Sequence, residues 1–147
     1  MGMGNSDEQQ IANLIFRYAE LVNDGDFDGV GELFARGSYG MPGALIEGRA
    51  IGDVMHRSVL LHDGAMRTKH VTTNLIISLN LQSPDTATCR SYFTVMQATE
   101  TLPLQPVITG RYSDTLARDQ EGWYFTERVI AMEQIGDVSQ HLRRPPR

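Results

Sequence analysis

Acid–base chemistry near neutral pH needs a group that titrates there, and this chain offers four histidines for the task, at positions 56, 62, 70 and 141. His70 stands out because it lies within RTKHVTTNLIISLNL, the stretch from Arg67 to Leu81. Alternation there marks a long strand, on which residues two apart share a face. His70, Thr72, Asn74 and Ile76 are expected to point one way, and Val71, Thr73, Leu75, Ile77 and Leu79 the other. A face that lines up an imidazole, a hydroxyl and a carboxamide before turning apolar reads as the wall of a small-molecule pocket. There His70 could move a proton next to a carbonyl, although a structural histidine with a satisfied partner fits the same position. His56 and His62 flank or end a helix and read as solvated. Tyr18 falls on the apolar stripe of a helix, either as a core aromatic whose hydroxyl has found a partner or as a phenol donating to a substrate oxygen.

Other chemistries find less support. Asp24, Asp26 and Asp28 followed by Gly29 match the opening of a calcium loop, but the closing bidentate glutamate would fall on Ala35. The histidines have no partner at i, i+4 and Cys89 is the single cysteine, so no zinc motif forms and no intrachain disulfide is possible. No serine or cysteine sits in an elbow such as G-x-S-x-G, and Cys89 reads as a small core residue. Neither metal nor cofactor is expected.

The elements that must position these residues follow from periodicity. Ser6 with Gln9 opens a helix from Asp7 to Val22, whose Ile11, Leu14, Ile15, Tyr18 and Val22 recur at helical spacing. Asp26 caps a shorter second helix carrying Phe27, Val30, Leu33 and Phe34. Residues 38 to 47, with several glycines and Pro42, allow one short or interrupted strand, and a third helix spans about Ala50 to Leu60. Four strands follow near 67 to 81, 86 to 98, 107 to 118 and 123 to 133, and their short connections favour an antiparallel meander. Ile11, Leu14, Ile15, Phe34 and Val54 are expected in the core.

With 147 residues the chain makes one domain, expected over 1–135, with a frayed, locally basic extension over 136–147 that holds Arg143, Arg144 and Arg147. A net charge of -5 argues against nucleic acid as a partner, and no apolar run is long enough to span a membrane. Gly2 and Ser6 match the myristoylation spacing without a polybasic stretch to back it. The start carries no secretory segment, which makes the cytoplasm the expected compartment.

RYAELVNDGDFDGVGELF in the first two helices, RTKHVTTN, ATCRSYF, and GRYSDTL followed by EGWYFTERV occur in an order and spacing with a familiar counterpart. Over about residues 8 to 132 the chain resembles the SnoaL-like branch of the nuclear transport factor 2-like superfamily, which includes scytalone dehydratase and bile acid dehydratase. The resemblance implies an α+β fold, a cone of curved antiparallel sheet wrapped around the N-terminal helices, with a ligand cavity at its wide end. It also implies a dimer across the outer face of the sheet, which Leu75, Ile77 and Leu79 opposite the pocket would demand as cover. The proton-transferring histidine of the dehydratases matches His70, and a tyrosine on the first helix of the bile acid enzyme matches Tyr18. Their acidic partner falls on Asn23, which cannot ionise, with Asp24 one residue away as a substitute.

The expected activity is that of a cofactor-independent lyase or isomerase acting on an apolar, oxygenated small molecule such as a polyketide, a steroid or an aromatic-degradation intermediate. His70, Tyr18 and Asn23 would be catalytic, with Asn74, Tyr92 and Asp24 on the substrate. A non-catalytic binding protein is the alternative, and an assembly subunit like the small subunits of ring-hydroxylating oxygenases is a third reading. A preserved buried polar trio with water access would favour the enzyme, a sealed apolar cavity binding, and a filled cone assembly.

Overall fold

The structure is a computed structural model and describes residues 4–146, so Gly2 and Arg147 lie outside the described residues. Helix α1 runs over Asp7–Asn23, its first turn capped by the Ser6 hydroxyl, which accepts from the Gln9 amide at 3.1 Å. Steps of four and three carry Ile11, Ile15, Tyr18 and Val22 down one side, and all four are buried. Helix α2, Phe27–Leu33, starts on Asp26, whose carboxylate accepts from the Gly29 amide at 2.8 Å.

Where one interrupted strand was expected, strands β1 (Ser38–Met41) and β2 (Ala44–Glu47) form a hairpin. Pro42 and Gly43 sit at its turn, with φ +77° at Gly43, a pairing suited to a turn that needs a left-handed second residue. Helix α3 covers Ala50–Ser58. The four long strands are β3 (Thr68–Leu79), β4 (Thr86–Gln97), β5 (Gln105–Asp119) and β6 (Gly122–Ile135).

One six-stranded sheet results, in the order β2-β1-β6-β5-β4-β3. The expected antiparallel meander is present, and β1 extends it by pairing parallel to β6. The fold is α+β, with the helices packed in the hollow of a curved, unclosed sheet. Ile11, Ile15, Phe34 and Ile51 have no exposed surface and meet Phe93, Tyr112, Leu116 and Phe125 from the sheet. Leu14 is only partly buried, and Val54 faces a cavity. Asp7 fastens the start of α1 to the sheet by accepting from Trp123 Nε1 at 3.0 Å and from Arg118 at 2.8 Å.

Bulges decide which residues face inward. In β3 the register against β4 shifts between Thr73 and Ile76, and Asn74 there has φ +57°, a left-handed conformation that asparagine tolerates better than most residues. One extra residue changes the parity of the inner face. Thr68, His70 and Thr72 point inward before the bulge, and Leu75, Ile77 and Leu79 after it. The uniform alternation read from the sequence is thereby corrected. Asn74 and Ile76 are exposed, while Leu75, Ile77 and Leu79 pack against the core and need no cover from a second subunit.

The segment after Ile135 folds back instead of fraying. Val138 and His141 are buried, and Leu142 bridges Val59. The Leu60 amide donates to the His141 carbonyl at 2.8 Å and the Arg143 amide to the Ser58 carbonyl at 3.0 Å, so this segment lies alongside the end of α3.

Candidate active site

Helix α1, the β1 strand, α3, the sheet and the C-terminal segment converge on a chamber of about 140 Å³. Its polar groups are Tyr18, Tyr39, Tyr112, His70, His141 and Ser58, and the rest of its wall is apolar, Val22, Phe93, Val95 and Ile130 among it. A wider cleft of about 930 Å³ adjoins it, lined partly by the same residues, Tyr39, Val54, Ser58, Ile130, Met132 and Leu142.

Asn23, the last residue of α1, holds His70 in one state. Its Oδ1 accepts from the His70 backbone amide at 2.6 Å while its Nδ2 donates to the His70 carbonyl at 3.4 Å. Because the backbone amide can only donate and the carbonyl only accept, this reciprocal pair fixes the amide's orientation. The same Oδ1 lies 3.2 Å from His70 Nδ1, so Nδ1 carries the ring proton and Nε2 keeps its lone pair. Burial pushes the His70 pKa down to about 3, aided by His141, with ring centroids 6.2 Å apart, and by Arg128. His141 is pushed down to about 4 by burial, and its Nδ1 is buried without a partner. Both rings are therefore neutral at physiological pH.

Opposite this pair stands a cluster of phenols. Tyr18 and Tyr39 share a hydrogen bond of 2.6 Å between their hydroxyls, which uses one of the two protons and leaves the other available to an oxygen in the chamber. Tyr112 meets Tyr18 edge-on, with centroids 5.8 Å apart, and stacks on Phe93 at 4.5 Å. Burial raises the pKa of all three phenols, with Arg128 opposing it.

Arg128 lies beneath this cluster, fully buried, its Cζ 3.8 Å from the centroid of the Tyr112 ring and 4.5 Å from that of Tyr18. Asp114 binds it through two hydrogen bonds of 2.7 and 2.8 Å. Burial works against the guanidinium's charge, the paired carboxylate outweighs that, and the pKa of Arg128 is raised.

Of the residues expected at a site, the chamber brings together Tyr18 and His70, with Asn23 gripping His70 from behind. Asp24 is exposed at the end of α1, Asn74 is turned out by its bulge, and neither lines the chamber. Tyr92 lies on the outer face, because inward positions of β4 are the odd-numbered Cys89, Ser91, Phe93 and Val95. Cys89 is buried as expected of a core residue, and its thiol pKa is pushed up to about 11 by burial.

Tyr39, Tyr112, Asp114, Arg128 and His141 had no role in the sequence reading. Asp114 could have been found, since it shares a strand face with Tyr112 and Leu116, and a charge on an apolar face requires a partner. That partner, Arg128, sits directly across the β5–β6 ladder.

Known proteins share this architecture. The family model described as a SnoaL-like domain matches residues 5–129. No curated protein matches the chain. Among solved structures, a Mycobacterium tuberculosis protein of unknown function is 27% identical, with TM-score 0.71 over 88% of this chain and 77% of that one. An NTF2-like protein with a cystatin-like fold from Novosphingobium aromaticivorans is 24% identical, with TM-score 0.72 over 91% and 86%. A candidate scytalone dehydratase from the same species is 19% identical, with TM-score 0.70 over 89% and 87%.

Proposed function

This chain belongs to the SnoaL-like domain family, and from that premise we propose that it is a cofactor-independent lyase or isomerase acting on a small, mostly apolar, oxygenated molecule. The carrying observation is that His70 and the Tyr18–Tyr39 hydroxyl pair line one chamber, with the proton-free Nε2 of His70 left over by the Asn23 contact. His70 would take a proton from carbon next to a carbonyl, and the phenol pair would donate to the oxygen on which charge develops. Arg128, behind the phenols, adds a fixed positive charge on that side.

Asn23 gives no negative charge to the imidazolium that would form, so the substrate's own oxyanion becomes its counter-ion in a low-dielectric space. Proton transfer is then coupled to tight seating of the oxygen among the phenols. A ligand-binding protein is the second reading, and the neutral Asn23 where the dehydratases place an acid is the observation in its favour. The assembly reading called for a filled cone, and a chamber of about 140 Å³ speaks for the ligand-site readings over it.

Proton–deuterium exchange into small cyclic ketones and dehydration of their β-hydroxy derivatives test the proposal directly. The wild-type protein should catalyse one of these, and His70→Asn should lower the rate by about 100-fold or more with little change in melting temperature. Ketone binding that is seen by NMR without any exchange would favour the binding protein.

We also propose a cytoplasmic homodimer joined through the outer face of the sheet, where Val71, Ile76 and Tyr92 stand 43 to 49% exposed. Sedimentation at micromolar concentration should then give twice the chain mass.

A further inference from the structure

We infer that the molecule taken by the chamber carries an anionic group, carboxylate or phosphate, received at the cleft mouth by the guanidinium groups of Arg57, Arg143 and Arg144. This rests on the reading of the chamber as a ligand site and adds what the ligand's far end must be.

The distribution of ion pairs points to it. Arg17, Arg36, Arg49, Arg111, Arg118 and Arg128 each hold a carboxylate. Arg57, Arg67, Lys69, Arg90, Arg143 and Arg144 have no carboxylate partner among the described residues, and of these Arg57, Arg143 and Arg144 come together along the wide cleft. No aspartate or glutamate lines it, although the chain carries 18 of them and a net charge of -5. His56, the remaining titratable group of known charge partner there, is engaged by Asp28 at 3.0 Å.

The fold itself gathers these cations. Arg57 lies in the last turn of α3, and the bond from the Arg143 amide to the Ser58 carbonyl brings the two arginines of the tail beside it. Like charges so placed repel one another, and an anion between them turns that repulsion into attraction. Guanidinium groups match carboxylate and phosphate oxygens in paired hydrogen bonds.

Between this rim and the chamber the walls are apolar, with Met41, Ala44, Ile46, Ile130, Met132 and Leu142. A chamber of about 140 Å³ is close in size to an engineered cavity of about 150 Å³ that accepts benzene. The fitting ligand therefore has one ring or a short oxygenated head inside, an apolar body in the cleft and an anion at the rim.

Calorimetric titration of the full chain with phenylhexanoate, phenylhexyl phosphate and phenylhexanol tests this. One of the two anions should bind at least about tenfold tighter than the alcohol at low salt, and the stronger of them identifies the group. The advantage should shrink as salt is added and vanish in the triple variant Arg57→Gln, Arg143→Gln, Arg144→Gln, while the alcohol binds that variant unchanged. Equal binding of all three probes, or an anion preference that survives the triple variant, overturns the inference and leaves the chamber standing as a ligand site. If no probe binds, the inference falls together with the ligand-site reading on which it rests.

Discussion

Asn23 determines what kind of base His70 can be. Its carbonyl oxygen orients the ring as a carboxylate would, yet supplies none of the charge that would hold a proton on it. Asn23→Asp should therefore raise the His70 pKa from about 3 toward neutrality, because a negative charge beside Nδ1 favours the imidazolium. Titration of the His70 Cε1 proton by NMR measures this, and a signal that ignores the substitution would separate the two side chains. At this scale the sequence was partly legible. His70 and Tyr18 were found because each stands on a periodic face, whereas His141 was missed because it lies on no periodic element, and Tyr39 because its strand is four residues long.

The strands carry two features on which the site depends. The first is the buried pair of Asp114 and Arg128, facing each other across β5 and β6. Arg128→Met leaves a carboxylate stranded in the core and should cost about 3 to 5 kcal/mol in urea unfolding, while also releasing the Tyr18 and Tyr112 rings that the guanidinium supports. The second is the close approach at Gly110, where an added Cβ would come within 2.2 Å of the Ala131 carbonyl oxygen and 2.7 Å of the Phe93 ring. Gly110→Ala should destabilise by more than 1 kcal/mol, displacing the Phe93–Tyr112 stack, and near-ultraviolet circular dichroism should report the loss. Helix bounds and strand order were readable because capping residues and alternation are local. Bulges were not, since which residue is left unpaired depends on the neighbouring strand, and so Asn74 was assigned to the wrong face. Tyr92 was misplaced without a bulge, although the unbroken alternation of β4 turns it outward.

Considered as a whole molecule, the protein holds two imidazoles neutral that an unfolded chain would expose. With folded pKa values of about 3 for His70 and about 4 for His141 against 6.5 for a free ring, acid protonates the unfolded chain first. The stability contributed by these rings is complete above about pH 6.5 and drains away as pH falls toward their folded values, by up to about 1.4 kcal/mol per pH unit for each ring. Urea midpoints measured between about pH 7 and pH 4.5 should fall accordingly, and His141→Gln should flatten the slope by about half. A midpoint independent of pH over that range would mean that water reaches both rings.

The bulge at Asn74 also has a bearing on how molecules meet. Strand β3 is the last of its sheet, and beyond His70, whose amide and carbonyl are taken by Asn23, its free side has no strand partner. A straight, unbroken border of that kind is a template on which any passing strand can grow, and from there a fibril. The left-handed residue in its middle breaks the border into two short lengths that no single extended strand can follow. The same residue that turns Leu75 inward thus protects the protein, at high concentration, from copies of itself.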